Sequence, residues 1–292
     1  MNKETETLKQ LCIDAVKYAH ETVQELGETG ISRVHVPGKN EVVTKADLAV
    51  LERWKELFLE HNTPLVVLTE ESRDIPFEKR KGAKYLGVGD EIDGTHNFNR
   101  ARGILPNCAI FTIFDTLESK FKDALVTAVL EHNSGNLWYA VKGEGCYFNG
   151  KKVNTSGITE LGQDISIFID RGPTPTPGHS LRYFNLEQKC WPRNISCAGV
   201  HLAGVASGSY SGWDGFLCMV QKPEELASGY LLIKEADGCL MDTNGKLLDE
   251  ERFDWNKKYE IIAAATPELG RNIRKELLSK EQASELYRRI KS

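Results

Sequence analysis

The chain has 292 residues, 40% hydrophobic and 27% charged, which is enough to bury a sizeable core with ordinary globular composition. A formal net charge of −5 argues against a nucleic-acid surface, which would normally show clustered Lys and Arg, and no run approaches the ~18 apolar residues that cross a bilayer. The polar, acidic N-terminus carries no secretory pattern, and seven scattered cysteines without a CxxC pair read as reduced, mostly buried thiols, so a cytoplasmic protein is expected.

Apolar side chains at Leu8, Leu11, Cys12, Ala15, Ala19, Val23 and Leu26 have helical spacing, with Gly27 as a stop. The irregular stretch HVPGKNE (35–41) follows, and a second helix starts near Asp47, with Leu48, Leu51, Trp54, Leu57 and Phe58 on one side. The period then shortens. PLVVL (64–68) and KYLGV (84–88) are β-rich runs that each lead into acidic residues. CAIFTIF (108–114), DALVTAVL (123–130) and NLWYAVKG (136–143) read as an antiparallel series, and Asn149-Gly150 marks a hairpin inside CYFNGKKV (146–153).

DISIFID (164–170) is a further strand, and the proline-rich RGPTPTPGHS (171–180) is loop. A helix around 199–207, a strand at 213–219, a buried helix at 224–237 and a buried strand at 259–266 follow. A charged helix closes the chain from about 267; its basic residues alternate with Glu and read as a solvated face. The mixture indicates a layered α+β architecture, with an N-terminal lobe (1–150) and a C-terminal lobe (151–292).

The chemistry concentrates where apolar strands end. Thr69-Glu70-Glu71-Ser72 follows the first short strand, Asp90-Glu91-Ile92-Asp93-Gly94-Thr95 follows the second, and Asp47, preceded by Thr44, opens a helix. Carboxylates in such places are costly to bury unless a cation neutralises them, and hard oxygen donors suit Mg²⁺. Asp90 and Asp93, three apart on a loop, can reach one ion, with the Ile92 carbonyl between them. Taken singly, Glu71 and Glu91 read as solvated loop acids.

Residues 89–98, GDEIDGTHNF, closely resemble the DPIDGTxNF signature of the inositol monophosphatase family of Mg²⁺-dependent phosphatases. Further stretches match in order. VTKAD (43–47) resembles VTxxD, TEES (69–72) resembles GEES, and AVKGEGCYFNG (140–150) resembles AxxGxGAxxNG. More loosely, VASG (205–208) with WDGF (213–216), and ELASG (225–229) with EADG (235–238), are similar to the family's C-terminal motifs.

This resemblance implies a layered αβαβα sandwich of the sugar phosphatase and inositol monophosphatase type. It implies two or three Mg²⁺ ions on Glu70, Asp90, Ile92 and Asp93, with Glu225 at the position of the last ligand. Gly94 and Thr95 would meet the substrate phosphate, and Thr95 with Asp47 or Glu70 would orient and deprotonate a metal-activated water. Thr44 and Ser72 would support the acids. The activity implied is hydrolysis of a small phosphorylated polyol, sugar or nucleotide by a homodimer, with no nucleic-acid or membrane partner.

The pattern also departs from the family. Glu225 replaces an Asp, Glu224 a Trp, Glu91 a Pro and His96 a small residue, while Cys218 stands where a sugar-binding Glu is common and Asp237 where a small residue is usual. A preference for inositol 1-phosphate is therefore not carried over. Segments 171–180 and 193–201 are expected on the substrate side. The alternative is a weakened member acting as a metal- or phosphate-binding or regulatory subunit.

Overall fold

The computed structural model describes residues 3–35, 42–72, 82–171 and 180–291. Helix α1 (Lys3–Leu26) buries Leu8, Leu11, Cys12, Ala15, Ala19 and Val23 along one stripe. After the short antiparallel pair β1 (Arg33–Val34) and β2 (Val43–Thr44), helix α2 (Lys45–His61) starts behind Thr44. Asp47 is its third residue, and the two close a capping box that satisfies two otherwise orphaned backbone donors. The helices lock where the Trp54 indole N–H donates to the Ala15 carbonyl at 2.7 Å.

Both helices cover one face of a seven-stranded sheet. Its strands are β3 (Leu65–Thr69), β4 (Tyr85–Asp93), β5 (Cys108–Phe114), β6 (Ala124–Glu131), β7 (Leu137–Val141), β8 (Gly145–Phe148) and β9 (Lys151–Val153), adjacent in sequence order. All pairs are antiparallel except β3 with β4. The hairpin between β8 and β9 turns on Asn149 and Gly150, both at positive φ as a two-residue primed turn requires.

A second sheet of five strands has the order β11-β10-β12-β14-β13, built from β10 (Ser166–Asp170), β11 (Trp191–Arg193), β12 (Gly215–Gln221), β13 (Cys239–Asp242) and β14 (Tyr259–Ala264). Between the sheets lie α4 (Ala198–Ala206) and α6 (Pro223–Glu235), preceded in the chain by the six-residue helix α3 (Thr95–Arg100) and the one-turn α5 (Gly208–Ser211) respectively. At Gly229 of α6 an added Cβ would fall 2.4 Å from a Leu202 methyl, so only glycine lets these helices approach so closely. Helix α7 (Pro267–Glu276) covers the outer face of the second sheet, and α8 (Lys280–Lys291) follows. The layers therefore run helix, sheet, helix, sheet, helix, the expected αβαβα sandwich.

Several local readings change. Strand β4 runs on through Asp93, so Asp90 and Asp93 sit on a strand and not on a loop; its register against β5 shifts between them. Glu91, read as a solvated loop acid, is completely buried in that strand. The short strands β11 and β13 carry too few residues to stand out by period. The closing charged helix is two helices, of which α8 buries only Ala283. The loop 171–180 and the stretch 35–41 lie almost entirely outside the described residues. Among those described, no helix is long and apolar enough to cross a membrane, and all seven cysteines are free and buried.

Candidate active site

The site forms where β4 ends beneath the N-termini of α4 and α6. Carboxylate oxygens of Asp90, Asp93 and Glu225 all lie within 4.8 Å of one another, and all three residues are buried. Asp90 Oδ1 accepts from the Ile92 N–H at 3.0 Å, which turns the strand end inward, while its Oδ2 is buried with no hydrogen-bond partner. Asp93 Oδ2 accepts from the Gly199 N–H at 2.6 Å, and Cys197 and Cys108 also point their sulfurs at it. Glu225, in the first turn of α6, accepts from the Gln221 amide, whose own oxygen is buried without a partner.

Electrostatics follow from this crowding. Burial, then the neighbouring Glu70 and Asp93 charges, pushes the Asp90 carboxyl well above its usual range. Burial also raises Asp93 and, together with Asp93, raises Glu225. Glu224 is lifted to about 7 by burial and by Glu70. Lys222 opposes all four shifts, and its ammonium pairs directly with Glu70. Among the described residues the buried carboxylates outnumber the ammonium groups beside them, so the charge of this cluster is only partly balanced. Oxygen-only donors with a bare buried acceptor fit a hard divalent cation such as Mg²⁺.

The remaining expected residues surround this cluster. Gly94, at φ 81°, breaks from β4 into α3, and the Thr95 hydroxyl donates to the Ile92 carbonyl at 2.8 Å. Asp47 Oδ2 accepts from the Thr44 N–H and hydroxyl at 2.7 and 2.5 Å. Burial lifts Asp47 to about 7 against those bonds, with Glu71 and Glu70 adding to the rise. Thr44 thus bonds an acid, and Ser72 closes a turn on Thr69. Thr95 and Asp47 each bond a residue three positions earlier in their own segment, Ile92 and Thr44. Of segment 193–201, Gly199 and Cys197 reach Asp93, and Asn97 ties the Ile195 and Ser196 carbonyls down at 2.7 and 3.1 Å. His96 is exposed on α3. Cys218 is buried within β12, and Asp237, at φ 63°, accepts from Asn154 in a turn.

Sequence reasoning missed Lys222 and the Gly199 N–H. Lys222 had one available signal, since a cation just before a helix that opens Pro-Glu-Glu sits beside the first-turn acids. A backbone N–H has no residue signature.

Comparison with known proteins places the chain in a family and a fold. The profile described as the inositol monophosphatase family matches residues 4–284. A fructose-1,6-bisphosphatase/inositol-1-monophosphatase of Thermococcus kodakarensis is 30% identical over 190 residues, which is 64% of this chain and 66%, just under two thirds, of that relative's length. The protein named Nus factor SuhB of Escherichia coli K12 is 27% identical over 218 residues, 71% of this chain and 74% of its own. Among solved structures, the extragenic suppressor protein suhB of Bartonella henselae superposes with a TM-score of 0.75 at 19% identity, covering 92% of this chain and 97% of that one.

Proposed function

This chain belongs to the inositol monophosphatase family, a family of metal-dependent phosphomonoesterases, and on that premise we propose that it hydrolyses a small phosphorylated polyol, sugar or nucleotide with Mg²⁺. The observation that carries the reading is the buried trio Asp90, Asp93 and Glu225, with Asp90 Oδ2 unpartnered. Glu70, Asp90, Asp93, Glu225 and the Ile92 carbonyl would hold two or three cations. When bound, such cations polarise phosphoryl oxygens and lower the pKa of a water.

The chain's own residues supply the rest. Gly94 and Thr95, at the turn into α3, receive the phosphate, and the Thr95 hydroxyl is held on the Ile92 carbonyl beside the acids. Asp47, lifted to about 7, is suited to accept a proton near neutral pH, with Glu70 as its partner. The lobes 1–150 and 151–292 each contribute, the first most of the acids and the second Glu225. We place the protein in the cytoplasm, as a homodimer.

The test is phosphate release from phosphorylated polyols, sugars and 3′-nucleotides, with and without Mg²⁺. Asp93→Asn should lower turnover by about two to three orders of magnitude, the loss expected when a few kcal/mol of charge stabilisation disappears. Release that is indifferent to Mg²⁺, or to Asp93→Asn, would overturn the reading.

A second reading is a binding or regulatory subunit that has lost turnover. It draws on the Lys222 ammonium already paired with Glu70, and on relatives named Nus factor SuhB. Calorimetric Mg²⁺ binding with no turnover across the panel would favour it.

A further inference from the structure

Asp93 belongs to two groups of donors, and only one of them is made of oxygen. On its other side stand the sulfurs of Cys108, the first residue of β5, and Cys197, at the cap of α4. The two sulfurs lie 3.6 Å apart, and Asp93 Oδ2 lies 3.7 Å from the first and 3.3 Å from the second. All three side chains are buried, and these are the only two such donor groups among the described residues.

Those three separations have a specific meaning in coordination chemistry. A tetrahedral Zn²⁺ with bonds of about 2.3 Å to sulfur and about 2.0–2.2 Å to oxygen holds its ligand atoms about 3.5–3.8 Å apart. The Cys108, Cys197 and Asp93 atoms therefore already stand close to one face of that tetrahedron. Two sulfurs and one oxygen select a soft or borderline cation over Mg²⁺, which prefers oxygen in octahedral array. The Gly199 N–H, 2.6 Å from Asp93 Oδ2, orients the carboxylate as an outer-shell donor does in metal sites.

We propose that Asp93, Cys108 and Cys197 form a site for one thiophilic divalent cation, Zn²⁺ or Cd²⁺. On binding, both thiol protons leave to solvent, and two thiolates and one carboxylate ligate the ion. Because Asp93 is shared, an ion held here competes with the hard cation proposed above; this competition alone rests on that reading, and the site itself does not.

The test uses the whole, reduced chain with its seven free thiols, kept under a phosphine reductant and titrated with Cd²⁺. The readout is the ultraviolet thiolate-to-Cd²⁺ charge-transfer band, which oxygen ligands do not produce. One Cd²⁺ per chain should bring up the band. Cys108→Ala and Cys197→Ala should each weaken binding at least tenfold, while Cys146→Ala, remote from Asp93, should keep the band. Saturating Mg²⁺ should shift the titration to higher Cd²⁺. Cadmium NMR of the wild-type chain, which needs no variant to fold, should place the ion among two sulfur donors. A folded wild-type chain without the band, or a band that survives in both Cys108→Ala and Cys197→Ala, overturns the proposal. A Cd²⁺ titration unmoved by Mg²⁺ that calorimetry shows to be bound overturns the shared ligand. The band needs no turnover, so failure of the phosphatase reading would be seen separately.

Discussion

The Gly199 N–H donates to Asp93 Oδ2 at 2.6 Å, joining the first turn of α4 to the end of β4 across 106 residues of chain. It orients one oxygen of a proposed metal ligand, and it fixes the middle helix layer against the first sheet at the point where the acids gather.

This contact leaves no room for a side chain. A Cβ at position 199 would lie 2.8 Å from the Cys108 sulfur, 2.9 Å from an Ile110 methyl and 3.1 Å from Asp93 Oδ2. Gly199→Ala should therefore destabilise the fold by about 1–3 kcal/mol through overpacking and weaken Mg²⁺ binding by moving Asp93. Thermal unfolding and calorimetric Mg²⁺ titration check both; an unchanged Mg²⁺ affinity would show that the contact does not set the ligand.

Glu225 already reaches Asp90 and Asp93 while its other contact, the Gln221 amide, holds it in place. Glu225→Asp would restore the family's usual residue but retract the carboxylate by roughly one carbon–carbon bond, about 1.5 Å. Mg²⁺-dependent turnover should fall roughly tenfold to a hundredfold, with weaker Mg²⁺ binding. A rise in turnover would mean that Glu225 is a compromised ligand.

Lys222 pairs with Glu70 and lowers the proton affinity of the acids around it. Removing that ammonium in Lys222→Met should lower the melting temperature in metal-free buffer, because the carboxylates lose a close cation. The same change should tighten Mg²⁺ binding several-fold by removing an ammonium that competes for Glu70. If Mg²⁺ binding weakens instead, Lys222 organises the site and does not compete for it.

His132 and His201 are completely buried, and desolvation pushes both down to about 3, the neighbouring His20 adding to the shift at His132. In the unfolded chain each takes up a proton near pH 6.5, so between about 6.5 and 3 the unfolded state binds more protons than the folded one. Stability should therefore fall as pH drops through that window, by up to about 1.4 kcal/mol per pH unit for each histidine. His132→Gln should flatten the slope of unfolding free energy against pH by about half of the two-histidine contribution, measured by denaturant titration between pH 4 and 7, roughly the span where these pKa values apply.

Much of this protein was legible locally. The helices came from the apolar stripe at Leu8 to Val23 and from Thr44 with Asp47, three residues apart as a capping box demands. The strands came from β-rich runs separated by turn residues such as Asn149-Gly150. Asp90, Ile92, Asp93, Gly94 and Thr95 fall within six residues, so chain connectivity alone keeps them together, and the family motif could be read there.

The layers decided the remainder. Glu91 looked like a solvated loop acid until β4 was seen to run on through Asp93, which leaves it wholly enclosed. Glu225 and Lys222 meet Asp93 and Glu70 only because α6 lies between the two sheets, and Cys108 meets Cys197 only because α4 starts above β5. Sequence periods record which face of an element is apolar. They do not record which residues of distant elements share a junction, because that depends on the stacking of whole layers, driven by burial spread over dozens of side chains.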